Sequence, residues 1–233
     1  MLDFHIHVLP NMDDGSKSEE MSLEMLRRST AYGVDVMAST SHFYADENTP
    51  QRFLQRREEA YERLQEAMAQ DGGVFPKIVL GAEVHFFTGI STADELPQLC
   101  LQGTNLLLLE MPFYEWTERM VREVGAIRRS GIQPVAAHIE RYMDIQSKRM
   151  LQMYIEQGIL IQCNAEYFLE RKTARHAMKF LKQENVHFLG SDAHNVTSRR
   201  PNLGEAVELI RKKAGEDAWQ RLQQYEMLVR NSV

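Results

Sequence analysis

Five histidines and three acidic residues stand where apolar runs of the chain end, His5, His7, His42, His138 and His194 with Glu83, Glu110 and Asp192, and a fourth, Asp14, lies in the loop just after the first such run. In His5-Ile6-His7 the imidazoles are two residues apart, and on a strand, where side chains alternate, both project from one side. Asp192-Ala193-His194 repeats the spacing with a carboxylate. Glu83 and Glu110 each close an apolar run, where an ionised carboxylate is costly unless it meets a cation. Taken singly these residues have ordinary explanations: strand histidines, a helix cap, a satisfied core imidazole. Together they are a pattern. Nine such donors exceed the needs of one ion and suit two or three divalent ions with bridging carboxylates. The set contains no thiolate, so manganese, iron or zinc in a catalytic site fits better than a structural zinc. Three such ions would outweigh the four carboxylates by about two charges, and a pocket of that sign attracts an anion such as a phosphate monoester. Arg141 lies three residues beyond His138, and Arg199 and Arg200 follow Asp192 by seven and eight. Planar guanidinium groups suit bidentate contact with phosphate oxygens.

These side chains need elements to hold them. Strand-like runs cover residues 2–8, 35–41, 77–83, 105–111, 133–138, 159–164 and 186–192. Between them the pattern predicts helices: from a capping box at Ser16 and Glu19 to Gly33, and from Thr49-Pro50 to Asp71-Gly72-Gly73. Further helices are expected at about 115–130, 148–157 and 171–184, with two more at about 203–214 and 218–230. Strands that alternate with helices call for a parallel sheet. Seven of them can close into a (β/α) barrel or lie open as a doubly wound sheet, and periodicity does not separate the two. The strand ends favour the barrel. Six of the seven carry a His, Asp or Glu, and in a barrel all of these face the C-terminal rim.

Composition narrows the function. The 233 residues include 27 basic and 33 acidic side chains, a formal charge of −6, which argues against binding a phosphate backbone. At 43% hydrophobic and 26% charged residues the chain is of ordinary globular type, and no composition break divides residues 1–233 into more than one domain. Two cysteines, Cys100 and Cys163, give no disulfide framework. Neither begins a Cys-x5-Arg phosphate loop, since positions 106 and 169 are leucine. The first residues lack a basic segment followed by an apolar one, and no apolar run approaches ~18–20 residues, so a cytoplasmic protein without membrane insertion is expected.

The motifs His5-x-His7-x-Leu9-Pro10-x-x-Asp13-Asp14-Gly15, Ser41-His42, Gly81-x-Glu83, Glu110-x-Pro112, Ala137-His138-x-Glu140-Arg141-Tyr142 and Gly190-Ser191-Asp192-x-His194-Asn195 resemble the polymerase-and-histidinol-phosphatase (PHP) superfamily. Within it the chain is most similar to the metal-dependent protein-tyrosine phosphatases of capsule and exopolysaccharide operons, the CpsB/YwqE type. The resemblance runs from Met1 to about Pro201. It implies a distorted seven-stranded TIM-like barrel with three metal ions, usually described as manganese. One ion would be held by His5, His7, Glu83 and Asp192, a second by Glu83, Glu110 and His138, and a third by Asp14, His42 and His194. Arg141 and Arg199 would bind the phosphate. The implied reaction is hydrolysis of phosphotyrosine on a protein, such as a bacterial tyrosine autokinase, by water activated between the ions and without a cysteine nucleophile. Histidinol-phosphate phosphatase is the closest rival on this scaffold, and an acidic residue such as Glu166 would suit its substrate's ammonium group. A non-catalytic regulatory module would have lost ligands, and all nine are present. Arg200 where relatives carry proline, Phe43 and Tyr44 after His42, and Glu166 depart from the pattern and bear on substrate preference.

Overall fold

The computed structural model describes Met1–Ser232. Strands alternate with helices in the order β1 (Leu2–Ile6), α1 (Glu19–Ala31), β2 (Val36–Ser39), β3 (His42–Phe43), α2 (Pro50–Asp71), β4 (Lys77–Leu80) and β5 (Glu83–His85). The chain continues through β6 (Leu106–Glu110), α3 (Glu118–Arg129), β7 (Gln133–Ala136), α4 (Lys148–Ile155), β8 (Leu160–Asn164) and α5 (Ala165–Leu169). It finishes with α6 (Ala174–Lys182), β9 (Phe188–Gly190), α7 (Leu203–Ala214) and α8 (Glu216–Arg230). Every strand pairing is parallel, in the orders β1-β2-β4 and β3-β5-β6-β7-β8-β9.

The nine strands are the seven expected ones, two of them broken. β2 and β3 are one strand interrupted at Thr40-Ser41, and β4 and β5 are one strand interrupted at Gly81-Ala82. Backbone bonds carry the sheet across the breaks, from Gly81 N–H to Ser39 O (2.9 Å) and from Glu83 N–H to Ser41 O (3.0 Å). β9 then meets β1: Ile6 bridges Ala193, Asp192 N–H donates to His5 O (2.7 Å) and His7 N–H to Ala193 O (3.0 Å). The ring closes. It is distorted between β4 and β6, where Gln102 N–H donates to Leu80 O and Leu101 N–H to Leu106 O.

Burial explains the runs that made the strands legible. All five residues of β6, Leu-Leu-Leu-Leu-Glu, are buried, as expected where helices cover the outside and side chains fill the inside. Leu2, Phe4, Val36, Ala38, Val79, Leu106, Leu108, Val135 and Phe188 form the inner core, with Phe4 stacked on Phe188 at 3.9 Å. A larger outer core, with Met25, Leu26, Leu64, Leu107, Leu109 and Ile210, joins barrel to helices. Register on β1 shifts by one residue between Asp3 and Ile6, a bulge. Leu2 and Phe4 fill the inner core below it, and the bulge lets His5 and His7, of opposite parity, turn into the same interior above.

Helix boundaries show where local signals yield to tertiary ones. Thr49, Pro50 and Gly72 bound α2 as its sequence predicts. The cap of α1 is Ser18, which accepts from Met21 N–H at 3.2 Å, and not Ser16. Ser16 is held back because its N–H pairs with His7 O. α3 starts at Glu118, later than expected, because Trp116 is tied by its N–H to Gln146 Oε1 and by Nε1 to Pro112 O. α5 was not foreseen, and α6 begins three residues later than the pattern predicts. No helix among the described residues is long and apolar enough to cross a membrane.

At Gly190 a Cβ would fall 2.5 Å from the Cβ of His5 and 2.9 Å from Gln162 Nε2. Only hydrogen fits. Gly190→Ala is therefore expected to lower stability by about 1–3 kcal/mol through overpacking at the β9–β1 closure. Urea unfolding checks this, the midpoint falling with little change in slope.

Candidate metal centre

The C-terminal rim gathers all nine sequence-predicted donors around the carboxylate of Glu83, which is 1% exposed. Its Oε2 lies 3.2 Å from His5 Nε2, 3.3 Å from His7 Nε2 and 3.0 Å from His42 Nδ1, and its Oε1 lies 2.8 Å from His138 Nε2. Glu110 Oε1 approaches the same His138 nitrogen at 3.4 Å. Asp192 Oδ1 stands 3.5 Å from His5, 3.6 Å from His7 and 3.6 Å from His194. On the solvent side Asp14 Oδ1 lies 3.4 Å from His42 Nε2 and 3.3 Å from His194 Nε2, and its side chain is 64% exposed.

Such an array fits cations. The Nε2 atoms of His5 and His7 face each other at 3.1 Å, where at most one proton can lie between two lone pairs. Glu83 Oε2 and His42 Nδ1 are close but not in hydrogen-bonding geometry, and both are buried without a partner, as is His194 Nε2. Buried polar atoms left so are uncommon and ask for an explanation. Three groups have donor atoms close enough to share an ion: His7, Asp14, His42 and His194; His5, His7 and Glu83; and His42, Glu83 and Glu110. The sequence grouping put His7 with the deep ligands alone, and His42 with the outer ones. In the structure each is shared between two groups.

Charge in the array is already polarised. Burial alone would raise the Glu83 carboxyl, yet His5, His138 and His42 hold it well below the usual range. Burial likewise opposes a proton on His138, but Glu110 and Glu83 raise its pKa to about 9. His194 goes the other way, lowered to about 3 by burial and by the neighbouring His7. Its lone pair is free. Negative charge is fixed, and positive charge is drawn in to balance it.

A further layer holds the donors in place, and sequence reasoning assigned it no role. Asp13 Oδ2 accepts from His7 Nδ1 (2.7 Å) and from His42 N–H (2.9 Å), while its Oδ1 accepts from Gly15 N–H. A proton on Nδ1 leaves the lone pair of His7 on Nε2, facing the array. Gln162 Oε1 lies 3.2 Å from His5 Nδ1 and accepts from His138 N–H at 2.7 Å. Its Nε2 donates to Asn164 Oδ1, and Asn164 Nδ2 donates to Asp192 Oδ2. Asp3 Oδ1 accepts from the N–H groups of His5 and Ser191, and burial pushes that carboxyl up to about 6. His85 Nδ1 contacts Glu110 Oε2 at 2.9 Å. The signal was available in part: Asp3-x-His5-x-His7 and Gln162-x-Asn164 keep the period of two.

Backbone strain marks the same places. His138 (φ +30°) and Asp192 (φ +50°) lie in the left-handed region that favours glycine. Each lies two residues beyond its strand and aims a donor into the rim. The arginines lie at the edge of the array: Arg141 pairs with Asp192 Oδ2, and Arg199 Nη2 donates to Asp192 Oδ1 at 2.8 Å. Both line a cavity of about 240 Å³ that reaches Asp192 and includes Glu166. Arg200, whose role the sequence leaves open, lines the same cavity and is held in a bidentate pair with Glu205 at 2.5 and 3.0 Å. Neither cysteine joins the site, and burial pushes Cys100 up to about 11 and raises Cys163 as well.

Residues 1–228 match the family described as capsular polysaccharide synthesis, CpsB/CapC. The tyrosine-protein phosphatase CpsB of Streptococcus pneumoniae is 31% identical over 92% of this chain and 91% of its own length. In three dimensions the fold matches a structure from work on YwqE of Bacillus subtilis and CpsB of Streptococcus pneumoniae, described as unique metal-dependent tyrosine phosphatases. That match has a TM-score of 0.86 and 24% identity, and covers 100% of this chain and 96% of the other. Histidinol phosphate phosphatase from Lactococcus lactis, solved with zinc, L-histidinol and phosphate, shares the fold at a TM-score of 0.56 and 15% identity over 92% and 93%.

Asp13 touches two donors of the array and is not itself among the candidate groups. Asp13→Asn is expected to weaken divalent-metal binding by about 10–100-fold, because it removes the carboxylate that fixes the His7 tautomer. Calorimetric titration of the metal-free protein with manganese measures this, and an unchanged affinity would dismiss the role.

Proposed function

The chain belongs to the CpsB/CapC family of capsular polysaccharide synthesis proteins, and on that premise we propose that it is a metal-dependent protein-tyrosine phosphatase. The observation that carries the reading is the array on Glu83, with nitrogen and oxygen donors on every side and two arginines at its edge. In this reading residues 1–233 form one catalytic domain holding three divalent ions. Manganese is preferred, and iron or zinc also suits the donors. His5, His7, Glu83 and Asp192, then Glu110 and His138, then Asp14, His42 and His194 are the ligands. Bound there, the ions supply Lewis-acid charge and lower the pKa of water.

The residues do the rest. Glu83, buried at the centre, would supply negative charge to the ions, and Gln162 and Asp13 hold the imidazoles that face it. Arg141 and Arg199 present donors at the open side, suited to the equatorial oxygens of a phosphoryl group. No covalent phosphoenzyme is needed. The thiols are buried with raised pKa values, which leaves little thiolate to act as nucleophile. A phenolate leaving group, with a pKa near ~10, requires little protonation. The substrate is read as phosphotyrosine on a protein in the cytoplasm, with a bacterial tyrosine autokinase as the partner. Histidinol phosphate is the alternative, for which Glu166 and Glu170 on the cavity wall are the favourable features; the carboxylate of Glu205 beside them is taken by Arg200.

Purified protein is expected to hydrolyse a phosphotyrosine peptide, to lose that activity in EDTA and to recover it with manganese, while iodoacetamide changes nothing. Activity that is thiol-sensitive and indifferent to chelation would overturn the reading. Arg199→Ala is expected to lower kcat/KM by about 10²–10³, as for loss of one donor to a developing anion. Steady-state kinetics on the same peptide decides it.

A further inference from the structure

Among the described residues, few large hydrophobic side chains are well exposed, and two of them, Phe113 and Tyr114, stand together on the loop between β6 and α3. That loop leaves β6 at Glu110 and passes beside the metal array. The Phe113 ring stacks on Tyr142 at 5.3 Å (interplanar angle 25°) and on His138 at 5.9 Å (19°). Tyr142 is buried at 1% exposure, whereas Phe113 is 50% exposed. Phe113 is thus the outermost ring of a stack rooted in the core, covered on one side and open on the other.

The loop holds this ring in place. Met111 N–H donates to Tyr142 Oη (3.1 Å), Trp116 N–H to Gln146 Oε1 (2.9 Å) and Gln146 Nε2 to the carbonyl of Tyr114 (2.7 Å). Ring and array are close: His138, on which Phe113 stacks, places Nε2 2.8 Å from Glu83. Phenylalanine has no polar handle, so the open face offers only apolar area and a π surface. An aryl phosphate carries its ring one oxygen away from phosphorus. A phosphate engaged beside His138 would leave that ring at the edge of the array, where Phe113 stacks on His138. An alkyl phosphate has no π face to offer.

We infer, on the basis of the phosphatase reading, that Phe113 is the platform on which the substrate's phenyl ring stacks and that it sets a preference for aryl over alkyl phosphate esters. It is a positioning residue for the leaving group. Because the stack forms in the ground state as well as the transition state, its loss should appear mainly in KM.

The test compares the parent protein with Phe113→Ala and Phe113→Tyr, loaded with manganese, on phenyl phosphate and on glycerol 2-phosphate. The ratio of kcat/KM for the aryl over the alkyl ester is expected to fall about tenfold in Phe113→Ala, mostly through KM, and to return in Phe113→Tyr. A parallel titration with phenylphosphonate and methylphosphonate, which are not turned over, is expected to show the same loss of aryl preference in binding. Equal losses on both esters, or a ratio within twofold of the parent, would overturn the platform. A parent that hydrolyses neither ester yet binds phenylphosphonate in a Phe113-dependent way refutes the phosphatase reading and keeps the platform.

Discussion

Glu83 sets the terms for the rest of the molecule. A carboxylate this deeply buried must be met by positive charge, and four imidazoles converge on it within 3.3 Å. Imidazoles alone do not close the account, since two of the nearby nitrogens face each other and others lack a donor or acceptor. Desolvated groups of this kind are tolerated when a cation takes the lone pairs. The formal charge of −6 therefore says little about the pocket, because the carboxylates at the rim stand in groups that could hold cations.

Distortion of the barrel follows from the same demand. An ideal strand offers alternate side chains to the interior at fixed intervals, but the donors must converge within a few ångströms at one end. β1 gains a bulge below His5 and His7. The next two strands break at Thr40-Ser41 and Gly81-Ala82, just before His42 and Glu83. β7 and β9 are each followed, two residues on, by a left-handed residue that is itself a donor, His138 and Asp192. Five of the seven strands thus bend, break or end within two residues of a donor. Regular pairing below, in the inner core around Leu108 and Val135, supports the irregular layer above.

This division accounts for what the sequence discloses. The strands are legible because buried parallel strands read as apolar runs, and the nine donors because a charged residue at the end of such a run needs a reason. The breaks are invisible to periodicity, since they arise from ring closure and not from any local preference. Ser16 looked like a cap because its spacing to Glu19 is right, but a bond to the His7 carbonyl claims its backbone. Asp13 carries no local signal of its role, because its partner His7 lies across a turn that only the fold closes. Gln162 was missed altogether, a neutral residue inside a strand, though it ties β8 to His5 and His138 at once.

Charge and shape then separate at the rim. In the proposed reading the floor recognises a cation and, through it and the arginines, an anion, and nothing in that chemistry distinguishes one phosphate ester from another. Discrimination has to come from the wall, where the ester group lies. On one side the wall is polar, with Arg200 neutralised by Glu205 and Glu166 facing the cavity. On the other it is aromatic, with Phe113 layered on Tyr142 and Tyr44 within 5.4 Å of both His42 and His85. An apolar ring half open to water is a poor neighbour for buried ions unless something apolar covers it. A leaving group with its own aromatic face covers it well and a charged or aliphatic one does not, so the choice of substrate falls to the loop after β6, outside the metal ligands.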